Sequence, residues 1–292
     1  MEHLIKARGL TKSYDGFSLN AIDLTVPAGT VVGFVGSNGA GKTTTLRSLL
    51  GLVCADGGTI TLLDEVIDGD VPVSVKQRIG VVLDTCAFNR EGTVRDVSLI
   101  GRSAYTAWDE AFFGRLCERF ELAPKKKVKD LSRGMGMKLS LAFALAHHPQ
   151  LLILDEATAG LDPLARDEVL DLLRDFMKHD DHGILMSTHI TSDLEHIADE
   201  VICIDDGNIM FDLPKDVICD EAGVAHCRAA DVERIIESGF FEPGAMRALS
   251  HAYGIDVLVS DRFAFARAFE DIPVDKASIE DYMALMLKGE AR

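Results

Sequence analysis

Gly36-Ser37-Asn38-Gly39-Ala40-Gly41-Lys42-Thr43 is a complete G-x-x-x-x-G-K-[ST] stretch. It follows the apolar run Val31-Val32-Gly33-Phe34-Val35, which reads as a buried strand. It opens onto Thr44-Thr45-Leu46-Arg47-Ser48-Leu49-Leu50, which reads as a helix stopped by Gly51. Glycines at 36, 39 and 41 let the backbone curl until successive N–H groups point inward, and the helix N-terminus adds its partial positive charge. The product is a nest for phosphates. Lys42 is placed to reach the β- and γ-phosphates of a nucleotide, and the Thr43 hydroxyl to ligate Mg²⁺.

Working outward, 292 residues suffice for one large or two modest domains, and apolar residues at 47% with charged residues at 26% describe an ordinary globular chain. No stretch approaches a membrane span, and residues 1–8 lack the apolar segment of a signal peptide, so the chain reads as soluble and cytoplasmic. A formal net charge of −17 argues against nucleic acid as a partner, because that affinity rests on neutralising phosphates with Lys and Arg. The run Lys125-Lys126-Lys127-Val128-Lys129 reads as a solvated loop or helix end. Cys54, Cys86, Cys117, Cys203, Cys219 and Cys227 show no C-x-x-C pairing and read as reduced thiols without a metal.

Residues 4–26 alternate apolar and polar positions around turn signals at Tyr14-Asp15-Gly16 and Pro27-Ala28-Gly29, predicting antiparallel strands before the central one. Residues 57–63 read as an edge hairpin and 79–83 as a second buried strand. From Thr93 to about Ala146 the period becomes helical, which predicts a subdomain inserted between two parallel-type strands and ending in a long apolar helix over 139–147. Then Leu151-Leu152-Ile153-Leu154 delivers Asp155 and Glu156 to a strand end, the side on which ligands of parallel sheets bind. Asp155 is placed to hold Mg²⁺ through water and Glu156 to polarise an attacking water. Residues 163–176 read as an amphipathic helix. His189 ends the strand over 184–188, again aimed at the phosphate crevice, although a lone histidine also suits a structural place. Tyr14 fits stacking on a purine and equally an ordinary sheet position.

Together these residues resemble the nucleotide-binding subunits of ATP-binding cassette (ABC) transporters over residues 4 to about 212. Leu131-Ser132-Arg133-Gly134-Met135 carries the resemblance furthest, since it matches the family signature at its leucine, serine and second glycine. The fold implied is α/β: a phosphate-loop ATPase core with an antiparallel β-subdomain and an inserted α-helical subdomain. The implied domains are 1–212 for nucleotide binding, with helices over about 88–146, and 213–292 as a small C-terminal α+β appendage. The resemblance implies ATP and Mg²⁺ as cofactors, with Tyr14 on adenine and residues 36–44, Thr44 included, around the phosphates. It makes Glu156, His189 and Lys42 the catalytic set, with His189 a switch on the γ-phosphate. Thr43, Asp155 and Asp84 are the candidate Mg²⁺ residues. Ser132, Arg133, Gly134 and Met135 are assigned to a partner chain's ATP, and Asp162 to a loop crossing the dimer interface. Membrane permease subunits, a homodimer or heterodimer, and the cytoplasmic face of the membrane complete the expectation.

Asp84 stands where the family usually has glutamine, and Arg133 and Met135 replace glycine and glutamine, a variant resembling bacterial exporter subunits. Two other readings fit the sequence less well. A soluble ABC ATPase acting on ribosomes or nucleic acid usually has two cassettes or a coiled-coil insertion and faces polyanions; a small-molecule kinase lacks the signature. Within 213–292, residues 231–238 read as a helix, 255–259 as a strand and Ser278 as the cap of a final helix ending at Gly289.

Overall fold

The computed structural model describes residues 2–292. β1 (His3–Tyr14) and β2 (Phe17–Pro27) form a hairpin closed by the Tyr14–Phe17 pair. β3 (Val31–Val35) then leads into α1 (Lys42–Leu49). β4 (Gly57–Leu62) pairs with β1, and β5 (Glu65–Ile67) completes an antiparallel sheet of order β2-β1-β4-β5. A short helix α2 (Val73–Lys76) precedes β6 (Ile79–Val82).

Three helices separate β6 from its parallel neighbour: α3 (Val94–Ala104), α4 (Glu110–Arg119) and α5 (Arg133–Leu145). Thr93 and Asp96 form a capping box on α3, which explains why a helix starts at that point. The chain continues with β7 (Leu151–Asp155), α6 (Pro163–Phe176), β8 (Gly183–Ser187), α7 (Thr191–Ile197), β9 (Glu200–Asp205) and β10 (Asn208–Pro214). The central sheet has the order β10-β9-β3-β8-β7-β6 and is parallel except at β10. All residues of β3, β7 and β8 are buried. Strands covered on both faces need continuous apolar runs, which is the pattern these segments carry.

Their side chains still alternate between two cores. Val32 and Phe34 join Leu4, Leu24 and Leu46 beneath the antiparallel sheet. Val31 and Val35 join Leu139, Leu152 and Leu173 beneath the helices. The parallel register sets Phe34 beside Ser187 and Ser187 beside Asp155, so three strands end at one edge. That edge receives the functional residues.

Beyond β10 the chain builds a second unit from β11 (Gly223–Cys227), α8 (Ala229–Ser238), β12 (Arg247–His251), β13 (Gly254–Val259), α9 (Arg262–Ala268), β14 (Val274–Lys276), α10 (Ile279–Lys288) and β15 (Glu290–Ala291). Its antiparallel sheet has the order β14-β11-β13-β12-β15. Val232 and Ile235 of α8 and Phe265 of α9 pack on one face, and Leu285 of α10 on the other. α10 also ties the unit to the core: Ile279 is buried among the core helices, and the Tyr282 ring meets Phe211 edge-on at 5.1 Å.

Several boundaries differ from expectation. α5 begins at Arg133 rather than near 139, because Ser132 caps it and the polar, glycine-containing first turns hide its helical period. α1 begins at Lys42. β11, β12, β14, β15 and α9 have no counterpart in the sequence expectation. All six cysteines are free; burial pushes the Cys117 and Cys203 thiols up to about 12. Lys127 and Lys129 of the lysine run are exposed and pair with Glu91. No helix among the described residues is long and apolar enough to cross a membrane.

Candidate functional site

The loop between β3 and α1 is held in shape by sterics as much as by hydrogen bonds. A Cβ on Gly36 would lie 2.1 Å from the Ile204 carbonyl oxygen, so the loop can pass β9 only as glycine. Gly41, at φ +117°, occupies the N-cap of α1 and offers no side-chain acceptor to the first helical N–H groups. Those groups and the helix dipole remain available to an anion. Ala40 is buried and its carbonyl accepts from Gly207 N at 2.9 Å; Ser37 Oγ donates to Asp205 Oδ1 at 2.7 Å.

Lys42 folds back over this loop, donating from Nζ to the Gly36 carbonyl at 2.7 Å and the Ser37 carbonyl at 3.1 Å. Burial lowers its pKa from the usual lysine value, while the charges of Glu156 and Asp155 act in the opposite direction. Beside it, Thr43 Oγ1 donates to Asp155 Oδ2 at 3.0 Å, and Ser187 Oγ donates to Asp155 Oδ1. Asp155 is buried, with both oxygens met by hydroxyls. Ser187 was missed by sequence reasoning; its signal was its place at a strand end beside the acid.

Glu156 follows β7 with φ +55°, an uncommon conformation for a side-chain-bearing residue. It turns its carboxylate toward His189, whose Nδ1 lies 2.5 Å from Glu156 Oε2. The acid is mostly enclosed and the imidazole largely exposed. Around these groups lies a cavity of about 440 Å³, lined by Phe17, Asn38, Gly39, Gly41, Lys42, Thr43, Thr44, Asp84, Arg133, Glu156 and His189. The size suits a mononucleotide. The structure therefore brings together the phosphate loop, the strand-end acids, His189 and Asp84 as one site.

Five predicted residues stand apart. Tyr14 is 47% exposed and does not line the cavity; Phe17, its partner across the hairpin turn, does. Ser132 caps α5, its Oγ accepting from Met135 N at 3.2 Å, and neither Ser132, Gly134 nor Met135 reaches the phosphate-loop cavity. Asp162 caps α6, accepting from Ala165 N at 3.0 Å. A Cβ on Gly134 would meet Leu161 Cδ2 at 3.0 Å, so the start of α5 abuts the Asp162 loop.

The sequence profile of the ABC transporter family matches residues 19–159. The chain is 35% identical over 219 residues to the bacitracin transport ATP-binding protein BcrA of Bacillus licheniformis, covering 74% of this chain and 71% of that protein. The chain belongs to the ABC transporter family, among its ATP-binding subunits. A Nod factor export ATP-binding protein I of Rhizobium meliloti is 35% identical over 278 residues, 92% of this chain and 80% of that one. Among solved structures, an ATP-binding subunit of an ABC transporter superposes with a TM-score of 0.67 at 27% identity, covering 74% of this chain and 91% of that chain. The phosphate-loop ABC fold expected from the sequence is borne out, and the chain is an ATPase that serves transport.

Proposed function

We propose that this chain powers export through separate membrane permease subunits, working as a dimer on the cytoplasmic face of the membrane. The observation that carries the chemistry is the contact between Glu156 and His189 at the rim of a cavity whose floor is Lys42 and the open N-terminus of α1. In the proposed cycle Lys42 exchanges its two carbonyl partners for nucleotide phosphates. Glu156 takes a proton from the attacking water; the water oxygen bonds to the γ-phosphorus, the bond from the γ-phosphorus to the β-phosphate oxygen breaks, and ADP and inorganic phosphate leave. His189 orients Glu156 and meets the γ-phosphate.

The donor set fits Mg²⁺. Thr43 and Asp155 offer oxygen only, and no group of three His, Cys, Asp or Glu side chains that could hold a metal exists among the described residues. A cation held by one or two carboxylates and substrate phosphates is Mg²⁺ in character. When bound it neutralises charge on the phosphates. Phe17 and Tyr14, side by side at one end of the hairpin, form the platform for the base.

The signature supports a dimer. Ser132 and Gly134 stand at a helix N-terminus outside their own chain's phosphate-loop cavity, so a partner's nucleotide is the ligand they suit. Asp162, one loop away, then lies at the same junction. The division into a nucleotide-binding unit over 1–212 and an accessory unit over 213–292 belongs to this proposal, and the separate sheets of the two regions support it. Export is favoured by the two relatives whose names specify transport of bacitracin and export of Nod factor.

The test is purification of the tagged Glu156→Gln chain from detergent-solubilised membranes with ATP present. The expected companion is a polytopic membrane protein in near-stoichiometric amount. Recovery wholly from the soluble fraction, or with ribosomes, contradicts the proposal.

A further inference from the structure

Arg133 differs from the rest of the signature in facing its own chain's site. It lines the cavity that holds Lys42, Glu156 and His189, and also an adjoining cavity of about 550 Å³ lined by Ser132. Only Asp84 shares this double position, so an acid and a base stand on the wall common to the two cavities. The arginine stem runs over Gly160, where a Cβ would lie 3.3 Å from Arg133 Cδ and 3.7 Å from Nε; φ of +80° there makes glycine the fitting residue. Backbone and stem thus aim the head group along the Asp162 loop toward the cavity.

The guanidinium has no hydrogen-bond or ion-pair partner among the described residues. A permanently charged fork left free beside a cavity built for phosphates matches a phosphate in both geometry and sign. Asp84, on the same wall, has the opposite sign and disfavours the same ligand.

We propose that Arg133 contacts the terminal phosphate of the nucleotide held by its own chain, and that Asp84 opposes it. This rests on the proposed nucleotide site, and it gives the signature helix a sensor of its own chain's ATP in addition to its place against a partner. Arg133 is exposed and flexible, so it moves to the phosphate without rearrangement of the fold.

The test is equilibrium binding of a fluorescent, non-hydrolysable ATP analogue and of fluorescent ADP, both with Mg²⁺. The full chain is held at a dilution where sedimentation shows single chains, so that only its own site reports. Arg133→Gln is expected to weaken triphosphate binding about five- to tenfold and diphosphate binding by less than about twofold, as loss of one exposed charge pair requires. Arg133→Lys recovers part of the loss, and Asp84→Asn tightens triphosphate binding. Unchanged binding in Arg133→Gln overturns the proposal and leaves the arginine to a partner's site. Equal losses for both nucleotides overturn contact with the terminal phosphate, and weaker binding in Asp84→Asn overturns its opposing role. The unmodified chain is the separate control: if it binds neither nucleotide, the proposed site itself falls.

Discussion

The nucleotide site and the C-terminal unit treat charge in opposite ways. In the C-terminal unit charges close on one another: Arg234 reaches Asp271 at 2.8 Å, Lys276 reaches Asp220 at 2.7 Å, and Arg228 reaches Asp231 at 2.9 Å. His226 stands between Asp256 and Asp275, at 2.8 and 3.2 Å. At the nucleotide site, Lys42 meets only the carbonyls of its own loop, Arg133 meets no partner among the described residues, and the N-terminus of α1 has no side-chain cap. Charges that close locally stabilise a fold and leave little capacity for a ligand. Donors held short of a charged partner are what an incoming polyanion satisfies.

Substitutions sharpen that contrast. The largest expected effect is on turnover: Glu156→Gln keeps the shape of the side chain and loses the base, so phosphate release should fall by about 10²–10⁴-fold with nucleotide binding retained. Near-normal release would remove Glu156 from its proposed role. Next, Lys42→Ala should weaken MgATP binding by about 10–150-fold, the range for a charged hydrogen-bonding group, and titration of ATP into the variant measures it. Retained affinity would mean that the loop is not the phosphate site.

Smaller effects fall on stability. Gly36→Ala forces a Cβ against the Ile204 carbonyl and should destabilise by about 1–3 kcal/mol in denaturant unfolding. Ser132→Ala removes the cap of α5 and should cost about 1 kcal/mol, seen as a Tm lower by about 2–4 °C. The smallest lies in the C-terminal unit. Hydrogen bonding to Asp256, and then to Asp275, raises the His226 pKa against the opposing effect of burial. A raised value means that its contribution is complete below the ordinary histidine pKa of about 6.5 and is lost as pH rises through the folded value. The side chain is 45% exposed, so the contribution is of the order of 0.2–1 kcal/mol. His226→Gln should flatten the pH dependence of Tm in that interval, while a wild-type Tm that rises across it would contradict the sign.

The two regions were also unequally legible in the sequence. Strands β3, β7 and β8 announce themselves because burial on both faces requires unbroken apolar runs, and α6 does so through Asp162, Pro163 and its apolar stripe. β11 mixes glycine, alanine, histidine and cysteine although four of its five residues are buried, so composition conceals a central strand. In the site, residues on motifs were readable. Phe17 and Ser187 were not, because their places follow from a hairpin register and a strand pairing that no local pattern specifies. The inward reach of Arg133 depends on Gly160, twenty-seven residues away in sequence and in contact only after folding.

On the proposed reading two separate parts of an ATP site, the phosphate loop and the signature residues Ser132 and Gly134, meet only between two chains. Sedimentation velocity of the Glu156→Gln chain, with and without MgATP, tests it most directly. Single chains are expected without nucleotide and a dimer retaining ATP when it is present, with no such dimer in Lys42→Ala. A Glu156→Gln chain that binds ATP yet sediments as a single chain at every concentration would contradict it.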